Sequence, residues 1–407
     1  VALIQASRPL SRELRRLLPS RPFHIRFWDG GAVAATVSDD DHAPTFFVRA
    51  PSALAHCIRA PGSLGLGRAY VDGSLAVDDL EGAFIVVDTW QPPALGAADR
   101  ARLALAVALA AAPGGLPRRP SLELLLRGER HSPQRDAAAI RYHYDVGNEF
   151  FALFLDETMT YSCAIFSRGA QTLAEAQHAK LDLVAGKLRL EPGMRLLDVG
   201  CGWGSFAIHA ARAYGVTVTG ITLSQSQAEL ARERVRVAGL EGQVEVRVQD
   251  YRDLPHESFD AIASIGMSEH VGDSRLDLYA RSLFQLLRPG GLLLNHAIAG
   301  LDPDDDPLED LFSTRYVFPD GETPPLSRVQ LALERAGFHT EHVEGFREDY
   351  SVTLRHWAQR LDEHLDRAEE LAGAERTRVW RLYLRAARHG FDDGLTAVYQ
   401  VCARRPT

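Results

Sequence analysis

The stretch Leu196-Leu197-Asp198-Val199-Gly200-Cys201-Gly202-Trp203-Gly204 constrains the chain most. Two apolar residues lead into an acid, and three glycines then alternate with larger residues before the Ala-rich run Phe206 to Ala213. The pattern predicts a buried strand that turns abruptly into a helix. Glycine suits such a turn because it accepts positive φ and lets a ligand lie against the backbone. A dinucleotide fingerprint has G-x-G-x-x-G after its strand, whereas this chain has G-x-G-x-G preceded by an acid. A Gly-rich turn in some other α/β domain is the competing reading.

Strands and helices keep alternating beyond this turn. Gly220 to Gln227 follow a second strand, Gln249-Asp250-Tyr251-Arg252-Asp253 end a third, and Phe259 to Gly266 form a fourth. Ser268-Glu269-His270-Val271-Gly272 lie at the carboxyl end of the fourth, where open α/β sheets place ligands. Leu286 to Gly291 read as a turn, and Leu292 to His296 as a fifth strand. Strands alternating with helices from Met194 to Val343 predict an α/β, doubly wound, mostly parallel sheet. With 407 residues the chain has room for a second, smaller α+β domain, and the expected division is 1–120 and 121–407.

In the first part, Ile25 to Gly31 and Ala32 to Val37 read as strand, Asp-Gly turn and strand. Thr45 to Arg49 is a further strand, and Pro51 to Ile58 is helical by its spacing. No catalytic constellation is visible there, so an oligomerising module and a lipid-handling module remain open. Gln91 to Pro120 read as a linker region carrying an Ala/Leu-rich helix from Asp99 to Ala112. Beyond it Arg118, Arg119, Arg127, Arg130, Arg135 and Arg141 cluster. Such a run is either a solvated face or a surface that meets phospholipid head groups. The net charge of −9 argues against a nucleic-acid partner. Cys57, Cys163, Cys201 and Cys402 show neither paired metal spacing nor a disulfide framework, which fits a reducing cytoplasm and no metal. The acidic stretch Asp302 to Pro307 reads as solvated rather than metal-binding. No apolar run approaches the ~20 residues that span a bilayer, and no signal-peptide pattern opens the chain.

Tyr142 to Phe151 and Leu153 to Asp156 put Phe150, Phe151, Phe154 and Leu155 on one helical face, before the polar loop Met159 to Ala164. Ordinary core packing would explain the stripe. Together with the glycine turn, Gly220-Ile221-Thr222-Leu223-Ser224-Gln225-Ser226-Gln227, Tyr316 to Gly321 and Glu348 to Trp357, however, this segment resembles the cyclopropane fatty acid synthase family, which includes the mycolic acid cyclopropane synthases. The resemblance runs from about Arg141 to Val401, where Trp380 to Leu384 and Gly394 to Val401 are expected to finish the sheet region. It is weaker before Arg141, at Gly67 to Gly73.

The resemblance implies a class I S-adenosylmethionine-dependent methyltransferase. It places the cofactor on Tyr161, Ser162, Asp198, Gly200, Gly202, Gly204, Thr222, Leu223, Gln227, Asp250 and Tyr251. The second strand lacks the usual ribose-binding acid, and Gln227 offers a donor and an acceptor in its place. The implied reaction transfers the methyl group to the double bond of an unsaturated acyl chain in a membrane phospholipid. A carbocation then forms on the chain, so the site must be dry, with Phe318 and Tyr316 as candidate cation–π partners. The family's base is bicarbonate, and the matching shell is Cys163, Gly266, Glu269, His296, Ile298 and Tyr350, with Cys163, Gly266 and Ile298 offering mainly backbone groups. A homodimer, cytoplasmic and peripheral on the inner face of the membrane, is expected. Polar Asn295, and Phe391-Asp392-Asp393-Gly394-Leu395 in place of an arginine-rich stretch, lean the product toward a 10-methylene chain that a partner reductase would saturate, rather than a cyclopropane. A methyltransferase for a small soluble acceptor and a non-catalytic lipid-binding protein are the rival classes.

Overall fold

The computed structural model describes residues 6–37, 43–115, 117–254, 258–301 and 311–407. The chain divides into two compact units: Val1–Leu124 with Asp310–Tyr316 and Gly373–His389, and Leu125–Glu309 with Val317–Ala372 and Gly390–Thr407. The sequence division at residue 120 put 310–316 and 373–389 with the second domain, whereas in the structure they belong to the first unit. The reason is local bonding: Arg378 Nε donates to the Val71 carbonyl at 2.8 Å, and Arg385 and Arg388 both pair with Glu81 at 2.7 Å. Trp380 to Leu384 therefore lie in the part of the helix Ala374–Asp392 that belongs to the first unit and do not extend the sheet region. The acidic stretch Asp302 to Pro307 lies outside the described residues.

The first unit carries a four-stranded sheet of β1 (His24–Phe27), β2 (Ala32–Val33), β3 (Thr45–Val48) and β4 (Leu75–Val77), in the order β2-β1-β3-β4. The expected linker helix, Ala97–Ala111, is part of this unit's core: Ala106 and Ala110 pack with Leu10, Phe27 and Ala53. Small side chains let the helix approach closely, which is why its composition reads as a spacer in sequence. Arg68 and Glu123 form a buried bidentate pair, with both bonds at 2.8 Å.

The second unit is built on a seven-stranded sheet. Its strands are β5 (Arg195–Val199), β6 (Thr217–Thr222), β7 (Val244–Val248), β8 (Phe259–Ile265), β9 (Leu287–Gly300), β10 (His339–Gly345) and β11 (Thr396–Arg404), in the order β10-β11-β9-β8-β5-β6-β7. The pairings among β5, β6, β7, β8 and β9 are parallel, and β11 runs antiparallel between β9 and β10. Alternation sends Leu196 to one face and Leu197 to the other, and both are fully buried, each contributing roughly 1.5–3 kcal/mol. The helices Leu173–Lys187, Ser205–Tyr214 and Gln225–Val237 cover the first face, and Leu276–Leu286 with Leu326–Ala336 cover the second. The expected turn Leu286 to Gly291 is instead the start of β9, where a bulge shifts the register between the pairs Phe259–Leu287 and Ala261–Leu292. Among the described residues no helix is long and apolar enough to cross a membrane.

Candidate active site

The glycine turn leaves β5 with φ of 78° at Gly200, 53° at Gly202 and 80° at Gly204, all in the left-handed region. A Cβ on Gly200 would lie 2.6 Å from Met267 Cγ, and one on Gly204 3.3 Å from Ala231 Cβ, so both keep the chain's own parts close. A Cβ on Gly202 would meet only Gln227 Nε2, at 3.9 Å, so this glycine keeps its surroundings clear.

The turn opens on a cavity at the carboxyl ends of the parallel strands. Tyr161, Ser162, Asp198, Gly200, Gly202, Thr222, Leu223, Gln227, Asp250, Tyr251 and Gly266 line it, and Gly204 does not. Gly204 opens the helix Ser205–Tyr214, where its role is packing against Ala231. Gln227 is held by Thr222, whose Oγ1 donates to Oε1 at 2.9 Å. Asp250 already accepts from Arg252 through both oxygens, at 2.9 and 2.6 Å, so its carboxylate is committed. Arg252 also reaches Asp136 at 3.0 Å.

Tyr144, Tyr161 and Trp203 line the cavity, and Phe151 packs behind them in an aromatic cluster. Phe150, Phe151, Phe154 and Leu155 are fully buried, as the stripe predicts, although only the short segment Asn148–Ala152 is helical. Trp203 Nε1 donates to Asn148 Oδ1 at 2.7 Å, fastening the glycine turn to that segment. His143 stacks on Phe318 at 4.0 Å, so one face of the Phe318 ring is covered. Tyr316 stacks on Phe312 at 5.0 Å.

The residues of the expected anion shell are linked through the backbone of the sheet, and of them only Gly266 lines the cavity. Glu269 Oε1 accepts the Ile298 N–H at 2.8 Å, and Gly266 N–H donates to the His296 carbonyl at 2.8 Å. Ile298 pairs with Val398 on β11, the Val398 carbonyl accepts Phe346 N–H at 2.9 Å, and the Phe346 carbonyl accepts Tyr350 N–H at 3.1 Å. Cys163 Sγ lies 3.8 Å from the same Phe346 oxygen. Burial pushes the Cys163 thiol well above its ordinary pKa, which disfavours a thiolate nucleophile.

Two atoms here are buried without a hydrogen-bond partner, Glu269 Oε2 and His296 Nε2. Gln400 fixes the histidine tautomer: its Oε1 accepts from Lys187 at 2.7 Å, so its Nε2 donates to His296 Nδ1 at 3.1 Å. Nε2 of His296 therefore carries the proton and is a buried, unused donor. Burial holds His296 neutral, with its pKa lowered to about 3, and raises Glu269 to about 7 despite the Ile298 bond. A neutral N–H donor and a carboxyl poised near neutrality suit a small oxyanion such as bicarbonate. Asn295 points to the opposite face of the sheet, with its Oδ1 2.9 Å from Tyr279 Oη, so it does not shape this shell.

Sequence reasoning missed Lys180, Met267 and His270, all of which line the cavity. Lys180 had a usable signal: Ala176, Lys180 and Val184 follow at four-residue steps on the buried stripe of their helix. His270 is held neutral by burial, its pKa lowered to about 4.

The family model for mycolic acid cyclopropane synthetase matches residues 131–401. The "Probable fatty acid methyltransferase" of Pseudomonas putida is 39% identical over 400 residues, covering 95% of this chain and 92% of its own. The "Cyclopropane-fatty-acyl-phospholipid synthase" of Escherichia coli (strain K12) is 34% identical over 372 residues, covering 86% and 88%. The solved structure of mycolic acid cyclopropane synthase CmaA1 complexed with SAH and CTAB is 36% identical with a TM-score of 0.63, over 66% of this chain and 98% of that one.

Proposed function

Because the chain belongs to the mycolic acid cyclopropane synthetase family and is an S-adenosylmethionine-dependent methyltransferase of the cyclopropane fatty acyl synthase type, we propose that it methylates the double bond of an unsaturated acyl chain in a membrane phospholipid, with a 10-methylene chain as product. The observation that carries this reading is the pair of unused buried atoms, Glu269 Oε2 and His296 Nε2, in a shell fastened to the same strand ends as the cofactor cavity.

The donor, when bound, supplies an electrophilic methyl group on a sulfonium. The alkene π electrons would form the new carbon–carbon bond as the methyl–sulfur bond breaks and S-adenosylhomocysteine leaves, and positive charge would move to the neighbouring chain carbon. Tyr144, Tyr161 and Trp203 in the cavity lining, backed by Phe151, would exclude the water that would trap that charge. Bicarbonate in the shell would accept the one proton that must leave. His296 Nε2–H would donate to the anion, and Glu269, anchored by Ile298, would orient it. Proton loss from the new methyl group, with ring closure, gives a cyclopropane. A hydride shift followed by methyl proton loss gives the exo-methylene chain. Of the two sequence features that favour the methylene product, Asn295 faces away from the shell, and the segment from Phe391 carries the lean: its first ring sits 4.7 Å from Tyr350.

The protein's place is proposed as cytoplasmic and peripheral on the inner membrane face, as a homodimer, with a reductase acting on its product. Of the arginine cluster, Arg130 pairs with Glu322 at 2.9 Å and Arg135 with Asp320 through two bonds, which leaves the exposed Arg118, Arg119, Arg127 and Arg141 as candidate cations for anionic head groups. The test is labelled methyl transfer to vesicles of oleoyl phospholipid. Label in the extracted acyl chains is expected, and label only in water-soluble amines or alcohols would overturn the reading.

A further inference from the structure

From the edge of the large sheet inward, Glu344 on β10 pairs in register with Gln400 on β11, and Gln400 with His296 on β9. Residues directly opposite on neighbouring strands share a face, so the three side chains form one line. Lys187, the last residue of the helix Leu173–Lys187, closes onto that line. Its Nζ pairs with Glu344 Oε2 at 2.6 Å, donates to Gln400 Oε1 at 2.7 Å, and lies 5.2 Å from the centre of the Phe346 ring. Gln400 and His296 are buried, whereas Glu344 also meets the exposed Arg168 at 2.6 Å. The line therefore runs from the surface to the expected anion shell.

The oxygen and nitrogen ends of an amide are nearly the same size, so the groups they face choose between them. An ammonium has three donors and no acceptor, so the Gln400 oxygen must face Lys187. Its NH2 then faces His296 Nδ1 at 3.1 Å, and the imidazole proton stays on Nε2. Burial holds His296 neutral, so the place of this one proton decides whether Nε2 offers a donor or a lone pair. Without the ammonium the amide gains a second orientation, in which its oxygen accepts Nδ1–H and Nε2 turns a lone pair toward an anion. We propose that Lys187 is a positioning residue for the reaction: it fixes the Gln400 amide, which keeps His296 an Nε2–H donor, and Glu344 anchors it. The assignment rests on the reading of Glu269 Oε2 and His296 Nε2 as an anion shell. Lys187 does not line the cofactor cavity, and it acts through Gln400.

NMR of the full chain labelled with ¹⁵N-histidine reads the tautomer, with His296→Gln identifying the resonances. The native chain is expected to show His296 protonated on Nε2. Lys187→Met should add the Nδ1–H form. Gln400→Glu, whose carboxylate pairs with Lys187 and accepts from Nδ1–H, should make that form dominant. The bicarbonate concentration that gives half-maximal turnover should rise at least about tenfold in Gln400→Glu, with S-adenosylhomocysteine affinity kept within about twofold. An unchanged tautomer in both variants, even with a lowered melting temperature, would overturn the proposal and leave Lys187 as a tie between helix and sheet. A changed tautomer with an unchanged bicarbonate response would overturn it too. Native turnover indifferent to bicarbonate would instead overturn the shell reading, while the tautomer still judges the line from Lys187 to His296.

Discussion

Glu269 gives one carboxylate oxygen to the backbone of Ile298 at 2.8 Å and keeps the other buried without a partner. The first contact fixes the side chain, and the second leaves an acceptor, or a donor when protonated, aimed at chemistry rather than at the fold. Burial raises this carboxyl to about 7, above its ordinary 4.5. The folded state therefore prefers the protonated form, so stability is lost as pH rises from the unfolded pKa through 7.

Glu269→Gln should separate the two roles. Turnover is expected to fall at least about a hundredfold, with affinity for S-adenosylhomocysteine kept within about twofold. In bicarbonate-free buffer the variant should gain about 1–3 kcal/mol of stability over the native chain at pH 8, and little at pH 5. Thermal melts at the two pH values check this, and an equal loss of stability at both would make Glu269 a structural residue.

Gly202→Ala should weaken S-adenosylhomocysteine about tenfold or more, because its Cβ meets only Gln227 Nε2 and points into room the ligand needs. Gly200→Ala should act chiefly on stability, since its Cβ collides with Met267. Calorimetry and melting of the two variants would contradict this if their effects were reversed.

How far the sequence carries is clear from these glycines. A strand, three positive-φ positions and a helix leave a local signature, and the cavity lining comes with it because parallel strands place their carboxyl ends together. Lys180 is legible only through its place on the buried stripe of its helix, because a lysine in a helix ordinarily points to water. The pairing of Arg130 and Arg135 is not legible in the sequence because their partners, Glu322 and Asp320, lie almost two hundred positions away. The assignment of 373–389 to the first unit was invisible for the same reason, since it rests on long-range bonds such as Arg378 to Val71.

Charge reversal at Arg118, Arg119 and Arg127 should weaken binding to anionic vesicles, by about 1 kcal/mol per cation at low salt, and added salt should erase the difference. Arg135→Glu should instead destabilise the protein, because it opposes Asp320. Vesicle sedimentation distinguishes the two classes. Undiminished binding of the triple variant in low salt would return these arginines to a solvated face.

Phe391→Leu should disturb Tyr350 without touching the cofactor cavity. The expected outcome is a several-fold lower kcat and a shifted ratio of methylene to cyclopropane product, with S-adenosylhomocysteine affinity unchanged. Restoration of both by Phe391→Tyr would mark a positioning role for the ring. A lower melting temperature with an unchanged product ratio would mark packing alone.

The most direct test supplies the purified protein with donor carrying a ¹³C methyl group and vesicles of oleoyl phospholipid, and follows the labelled carbon by NMR. Label in the acyl chain at an exo-methylene carbon bearing vinylidene protons is the expected result. High-field cyclopropyl signals would overturn the 10-methylene assignment, and an acyl chain without label would contradict methylation of the double bond itself.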